Sequence, residues 1–168
     1  MNDFTDEFSY AKQIIQEAGQ MALSYFTKGV EVVNKKKEGE ARYSIVTEAD
    51  LAIEKFIKEK LFQKFPNYGF IGEEGKEDIR ETSWIVDPID GTTPFSRGIP
   101  EFGVVISLKI GNEVVLSCIY LPVVDLLYSA KKNEGAFENH KKISVSDIAL
   151  GEYSLICVVT RIIRLTDY

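Results

Sequence analysis

The chain of 168 residues has little of what soft metal centres and covalent frameworks require. It holds one histidine, two cysteines and one tryptophan. Cys118 and Cys157 each sit in an apolar run and read as buried thiols of a reduced compartment, because two isolated cysteines make no disulfide framework. His140, beside Lys141 and Lys142, reads as a surface loop residue and not as a ligand. No apolar run approaches the roughly 20 residues that span a bilayer. The opening "MNDFTDEF" is acidic and lacks the basic and apolar regions of a signal peptide. The expected setting is therefore cytoplasmic, with no membrane partner. Cationic side chains are also short, 20 against 26 acidic ones, for a net charge of −6 and a pI near 5.0. That balance argues against non-specific nucleic-acid binding. A phosphate-bearing ligand would need local positive charge to approach.

What is present suits one globular domain. Hydrophobic residues make up 45% of the chain, enough at this length for a sizeable core. Phe4, Phe8, Ala11, Ile15, Ala18, Ala22 and Tyr25 step by three and four, which predicts a helix from about Thr5 to Phe26. "VNKKKEGEARYS" reads as a charged loop. Its Lys35, Lys36 and Lys37 are either a solvated run or a flap near an anion site. Thr47, with Asp50 three residues on, resembles a capping box at the head of a second helix. The apolar stripe of that helix is read as Leu51, Phe56, Leu61 and Phe65, and Pro66-Asn67 stops it. Short β-branched and aromatic segments follow: "YGFIG", "SWIVD", "GVVISLKI", "EVVLSCIYL" and "DLLYSAKK". Gly111-Asn112 marks a hairpin. The expected fold class is α+β, two N-terminal helices packed on an antiparallel sheet.

The chemistry concentrates in "IGEEG" and "WIVDPIDGTTPF". Glu73 and Glu74 follow one strand, Asp87 and Asp90 another. Alone, the glutamates could be an ordinary surface pair and "DPID" a solvated turn, since Asp and Pro both favour turns. Together, loop carboxylates at two strand ends can converge, and carboxylates desolvated close together repel. A convergent set with no histidine or cysteine is a hard-oxygen site, suited to Mg²⁺ or Mn²⁺ and not to zinc. Such a cation would offset the clustered charge and give an acidic protein a means to hold phosphate. Gly91 lets a phosphate oxygen approach, and a helix opening at Thr92-Thr93 would aim backbone N–H groups at it. The Thr92 hydroxyl can orient a water, although Thr92 or Thr93 can equally be a plain helix cap.

These segments, with "VTEAD" upstream and "GIPEFGVVISL" and "GAFENHKKISVS" downstream, resemble the inositol monophosphatase family of Mg²⁺-dependent, lithium-sensitive phosphatases. The resemblance covers the chain to about residue 150. It implies the first half of the family's layered α/β/α/β/α sandwich, with the C-terminal α/β half absent. Residues 1–150 would form a metal- and phosphate-binding domain, and the apolar tail, 151–168, would begin the missing half. The family implies two or three metal ions per site. Glu73 and Asp87 would bind the first through their carboxylates, and Ile89 through its backbone carbonyl. Asp87 and Asp90 would hold a second. Glu73 and Thr92 would position the attacking water, with Asp50 supporting Thr92 or a third metal. Gly91, Thr92 and Thr93 would contact the phosphate, and Glu74 would be supporting.

Two departures stand out. Pro94 occupies a position that is asparagine in most members, and the Trp-Asp…Gly motif of the second half is not reached. Three readings follow. One is a phosphomonoesterase acting on inositol phosphate or a similar sugar phosphate. Another is a truncated remnant that only binds metal or dimerises. The last is a fructose bisphosphatase-like enzyme. The implied partners are a small phosphorylated polyol and, through the uncovered apolar face of half a layered fold, further copies of the chain.

Overall fold

The computed structural model describes residues 3–35, 44–73 and 78–145. Helix α1 runs Thr5–Lys28 and buries Phe8, Ala11, Ile14, Ile15, Ala18, Gly19 and Ala22, the face that the spacing predicts. A two-stranded ladder follows, β1 (Val32–Lys35) antiparallel to β2 (Ser44–Thr47). The segment read as a loop from Val33 to Ser44 therefore contributes strand at both ends. The β-branched Val32, Val33, Ile45 and Val46 are four of the eight pairing residues. Lys36 and Lys37 lie outside the described residues.

Helix α2 (Glu48–Lys64) begins with a complete capping box between Thr47 and Asp50. Its buried stripe differs from the expected one. Ala49, Ile53, Ile57 and Leu61 face inward, joined by Asp50 and Glu54, while Leu51 is exposed. The four-residue step from Ala49 keeps to one side of a 3.6-residue helix, and Leu51 falls away from it.

The main sheet is seven-stranded in the order β3 (Gly69–Gly72), β4 (Thr82–Asp90), β5 (Gly103–Ile110), β6 (Glu113–Leu121), β7 (Leu126–Lys131), β8 (Gly135–Glu138) and β9 (Lys141–Ile143). All neighbours are antiparallel except β3 and β4, which are parallel. The expectation of a wholly antiparallel sheet is corrected there. Parallel strands need a return path between them. The returning chain first forms an antiparallel bridge from Asp78 to Phe70 before entering β4. Gly111-Asn112 makes the two-residue turn between β5 and β6. Glycine comes first, at φ 55°, as a twist-matched hairpin turn favours.

Trp84, Val86, Val104, Ile106, Leu108, Leu116, Cys118 and Tyr120 form the inner face of the sheet. Helix α1 packs on β5 and β6, and α2 on β4. Alternation puts Ile85, Asp87, Val105, Ser107, Ser117 and Ile119 on the opposite face. No helix among the described residues is long and apolar enough to cross a membrane.

Candidate metal and phosphate site

The site grows out of an irregularity in β4. Against β5, Asp87 lies opposite Val105 and Asp90 opposite Gly103. Three steps on one strand thus match two on the other, which is a β-bulge. Pro88 fits there because it has no N–H to give to a ladder. In an unbroken strand, residues three apart point to opposite faces. The bulge resets the alternation, and Asp90 comes close enough for its charge to act on Asp87.

The parallel pairing brings in the third carboxylate. Gly72 is in register with Val86, so the next residue on each strand, Glu73 and Asp87, stand level. They share a side-chain hydrogen bond. Burial, then the charge of Glu73, then that of Asp90, push the Asp87 carboxyl up to about 7. The Ile89 N–H, donating to Asp87 Oδ1 at 3.2 Å, pulls the other way.

A second cluster sits at the head of α2. Asp50 is only 1% exposed. Its Oδ2 accepts from the Thr47 backbone N–H at 2.8 Å and from the Thr47 hydroxyl at 2.5 Å. That leaves Oδ1 for Thr92, whose Oγ1 lies 3.3 Å away. The Thr92 hydroxyl also stands 3.0 Å from the Ile89 carbonyl, so one proton faces two acceptors. Burial raises the Asp50 carboxyl above its usual range, against the lowering effect of the Thr47 and Thr92 hydrogen bonds.

Gly91 links the clusters. It has φ 96° and caps the single-turn helix α3 (Thr92–Ser96). A Cβ at Gly91 would come within 2.7 Å of the Glu101 carbonyl oxygen, so glycine is required by both backbone angle and space. No side chain caps this helix; Thr92 turns back to Ile89 and Asp50 instead. Pro94 is the third helical residue, and the first helical bond runs from Phe95 N–H to the Gly91 carbonyl at 3.0 Å. The missing N–H of Pro94 is thus one that the first turn would leave unpaired in any case.

The structure therefore gathers Glu73, Asp87 and Asp90, and sets Ile89, Gly91, Thr92 and Asp50 beside them. Thr93 is the next residue of α3, half-buried. Glu74 lies outside the described residues. Among the described residues, no group of three or more His, Cys, Asp or Glu side chains closes into a ready metal cage. The donor set fits a hard divalent cation all the same: every donor is oxygen, and Asp87 carries repulsion that positive charge would relieve. His140 is exposed in a turn, as expected.

Two contributions escaped the sequence reading. Thr47 does more than cap α2, since it fixes which oxygen Asp50 presents to Thr92. Glu54, one turn beyond Asp50 on the same buried face, was not singled out. The available signal was the repeat of carboxylates at i and i+4 on an otherwise apolar stripe.

The fold is an α+β scaffold that sets carboxylates at two adjacent strand ends beside a glycine turn and a helix-borne Asp–Thr pair. The profile of the Inositol monophosphatase family matches residues 4–165, and the chain belongs to that family. It is 38% identical over 143 residues to an inositol monophosphatase of Dictyostelium discoideum, covering 82% of this chain and 51% of the relative. It is 36% identical to a histidinol-phosphatase of Chlorobaculum parvum, covering 86% of this chain and 55% of the relative. Among solved structures, the extragenic suppressor protein suhB of Bartonella henselae superposes with a TM-score of 0.77 at 34% identity, covering 86% of this chain and 56% of the other. An IMPase of Thermotoga maritima also gives 0.77, at 29% identity, covering 85% and 55%. The chain spans about half the length of the relatives it matches.

Proposed function

We propose that this chain carries the metal- and phosphate-binding part of a Mg²⁺-dependent phosphomonoesterase acting on inositol phosphate or a similar small sugar phosphate. The carrying observation is the register that sets Glu73 level with Asp87, next to the Thr92–Asp50 pair. Glu73, Asp87 and the Ile89 carbonyl would hold one Mg²⁺ or Mn²⁺, and Asp87 with Asp90 a second. The Ile89 carbonyl has two lone pairs, so accepting from Thr92 does not prevent it from serving as a ligand. When bound, the cation lowers the pKa of a coordinated water and stabilises charge on phosphoryl oxygens.

The rest falls to the chain's own groups. Asp50, held by Thr47, accepts the Thr92 proton and leaves the Thr92 oxygen free to accept a hydrogen bond from water. Glu73 orients the same water from the end of the neighbouring strand, β3. Backbone N–H groups at Gly91, Thr92 and Thr93 meet the phosphate where no side chain intrudes at Gly91. Nothing in this arrangement calls for a covalent phosphoenzyme. The site described reads the phosphate and not the alcohol, which accords with relatives named for inositol phosphate and for histidinol phosphate.

The test is phosphate release by the purified chain with Mg²⁺, comparing inositol phosphate with fructose bisphosphate. Release that Asp87→Asn abolishes is expected, faster on inositol phosphate. No release at saturating Mg²⁺ and substrate would overturn the activity and leave a metal-binding remnant. Faster release from fructose bisphosphate would favour the bisphosphatase reading.

A further inference from the structure

Helix α2 presents two buried carboxylates to the site, and only Asp50 has a role so far. Glu54 is 6% exposed and sits one helical turn further on. Its carboxyl group lies against Gly72, the last residue of β3. A Cβ at Gly72 would stand 2.4 Å from Glu54 Oε2, 2.6 Å from its Cδ and 2.8 Å from Phe70 Cε1. A carboxylate end ordinarily swings aside, but this one is enclosed, and the Phe70 ring beside it is 1% exposed. The contact is therefore specific to glycine at position 72. Gly72 is followed directly by Glu73, which shares a hydrogen bond with Asp87.

We propose that Glu54 is a positioning residue: by backing Gly72 it sets the end of β3 so that the Glu73 carboxylate meets Asp87. Helix α2 then braces both strand ends of the site. Asp50 holds the segment after β4 through Thr92, and Glu54 holds the end of β3 at Gly72. A rigid helix fixes the spacing between them, as supporting residues around metal ligands do. This inference rests on the metal-site reading for its consequence, and on the packing alone for its geometry.

The test separates the two. In the metal-free full chain, the Ile89 amide donates to Asp87 and reports that carboxylate by NMR. Glu54→Ala and Gly72→Ala are each expected to shift the Ile89 amide, while Lys55→Ala on the exposed side of α2 does not. Glu54→Gln, which keeps the bulk against Gly72, is expected to restore the wild-type position. Titration calorimetry with Mg²⁺ is expected to show affinity reduced by about 10- to 100-fold in Glu54→Ala and Gly72→Ala. The double variant should lose less affinity than the two single losses combined, since removing Glu54 relieves the closest of the contacts that the new Cβ would meet. If Glu54→Ala does not fold, Gly72→Ala alone carries the comparison. Wild-type Ile89 shifts and Mg²⁺ affinity in both single variants would overturn the proposal. Shifted amides in a chain whose wild type binds no Mg²⁺ would uphold the positioning and overturn the metal reading.

Discussion

Asp87 is held in a position that works against the fold. Its folded pKa, about 7, lies above the ordinary aspartate value near 4. Between those values the folded chain keeps a proton that the unfolded chain has lost. Without a cation, stability therefore falls as pH rises from about 4 to about 7 and levels off above. Asp87→Asn removes the charge that causes this. In EDTA at pH 8 the variant is expected to be more stable, by on the order of 1–2 kcal/mol once solvent around this half-buried group is allowed for. Thermal melts at pH 4 should show the gap nearly closed, and saturating Mg²⁺ should close it at pH 8. A gap of equal size at both pH values would contradict the assignment. Thr92 makes a separate demand at the same scale. Thr92→Val keeps the shape and loses the hydroxyl, so turnover on inositol phosphate is expected to drop by about 100-fold with KM little changed. Thr92→Ser should keep most of it, and an active valine variant would rule out the water-orienting role.

At the scale of elements, the head of α2 joins fold and chemistry. Thr47→Ala removes a cap, ordinarily about 1 kcal/mol. It also leaves buried Asp50 without its closest hydroxyl donor, so denaturant unfolding should show a loss of about 2–3 kcal/mol. A loss under about 0.5 kcal/mol, the range of an ordinary surface substitution, would mean that Asp50 is not held as described. The capping box was legible because its parts are three residues apart. The β5–β6 hairpin was legible for the same reason, the signal being two adjacent residues. The parallel pairing of β3 with β4 was not. Strand direction depends on how the chain returns to the sheet, and the bridge from Asp78 to Phe70 has no local signature. The bulge at Pro88-Ile89 was half legible: proline inside an apolar run announced a break, but not that the break would turn Asp90 toward Asp87. Leu51 was misplaced because α2 carries apolar residues on more than one side, and only packing on β4 selects Ala49, Ile53, Ile57 and Leu61 as the inner stripe.

For the whole molecule, the two faces of the sheet differ. The inner face is covered by α1 and α2. The outer one carries Val105 and Ile119 side by side, with Ile119 39% exposed and Val124, on the loop that follows β6, 59% exposed. Such a face calls for a covering surface. Light scattering at about 100 μM, a concentration at which micromolar affinity saturates, is expected to show self-association. A monomer would contradict that expectation. The family resemblance named Glu73, Asp87, Thr92 and Asp50 in advance, and the fold sets Glu73 against Asp87 and Thr92 against Asp50. Glu54 stayed hidden, since its meaning lies in a contact with Gly72 across the fold.

The central claim is that the ends of β3 and β4 enclose a divalent cation. Crystals grown with Mn²⁺ and measured at the manganese absorption edge test it most directly. The account predicts an anomalous peak within bonding distance of the Glu73 and Asp87 carboxylates and the Ile89 carbonyl. A saturated crystal with manganese elsewhere and none between those two strand ends would contradict it.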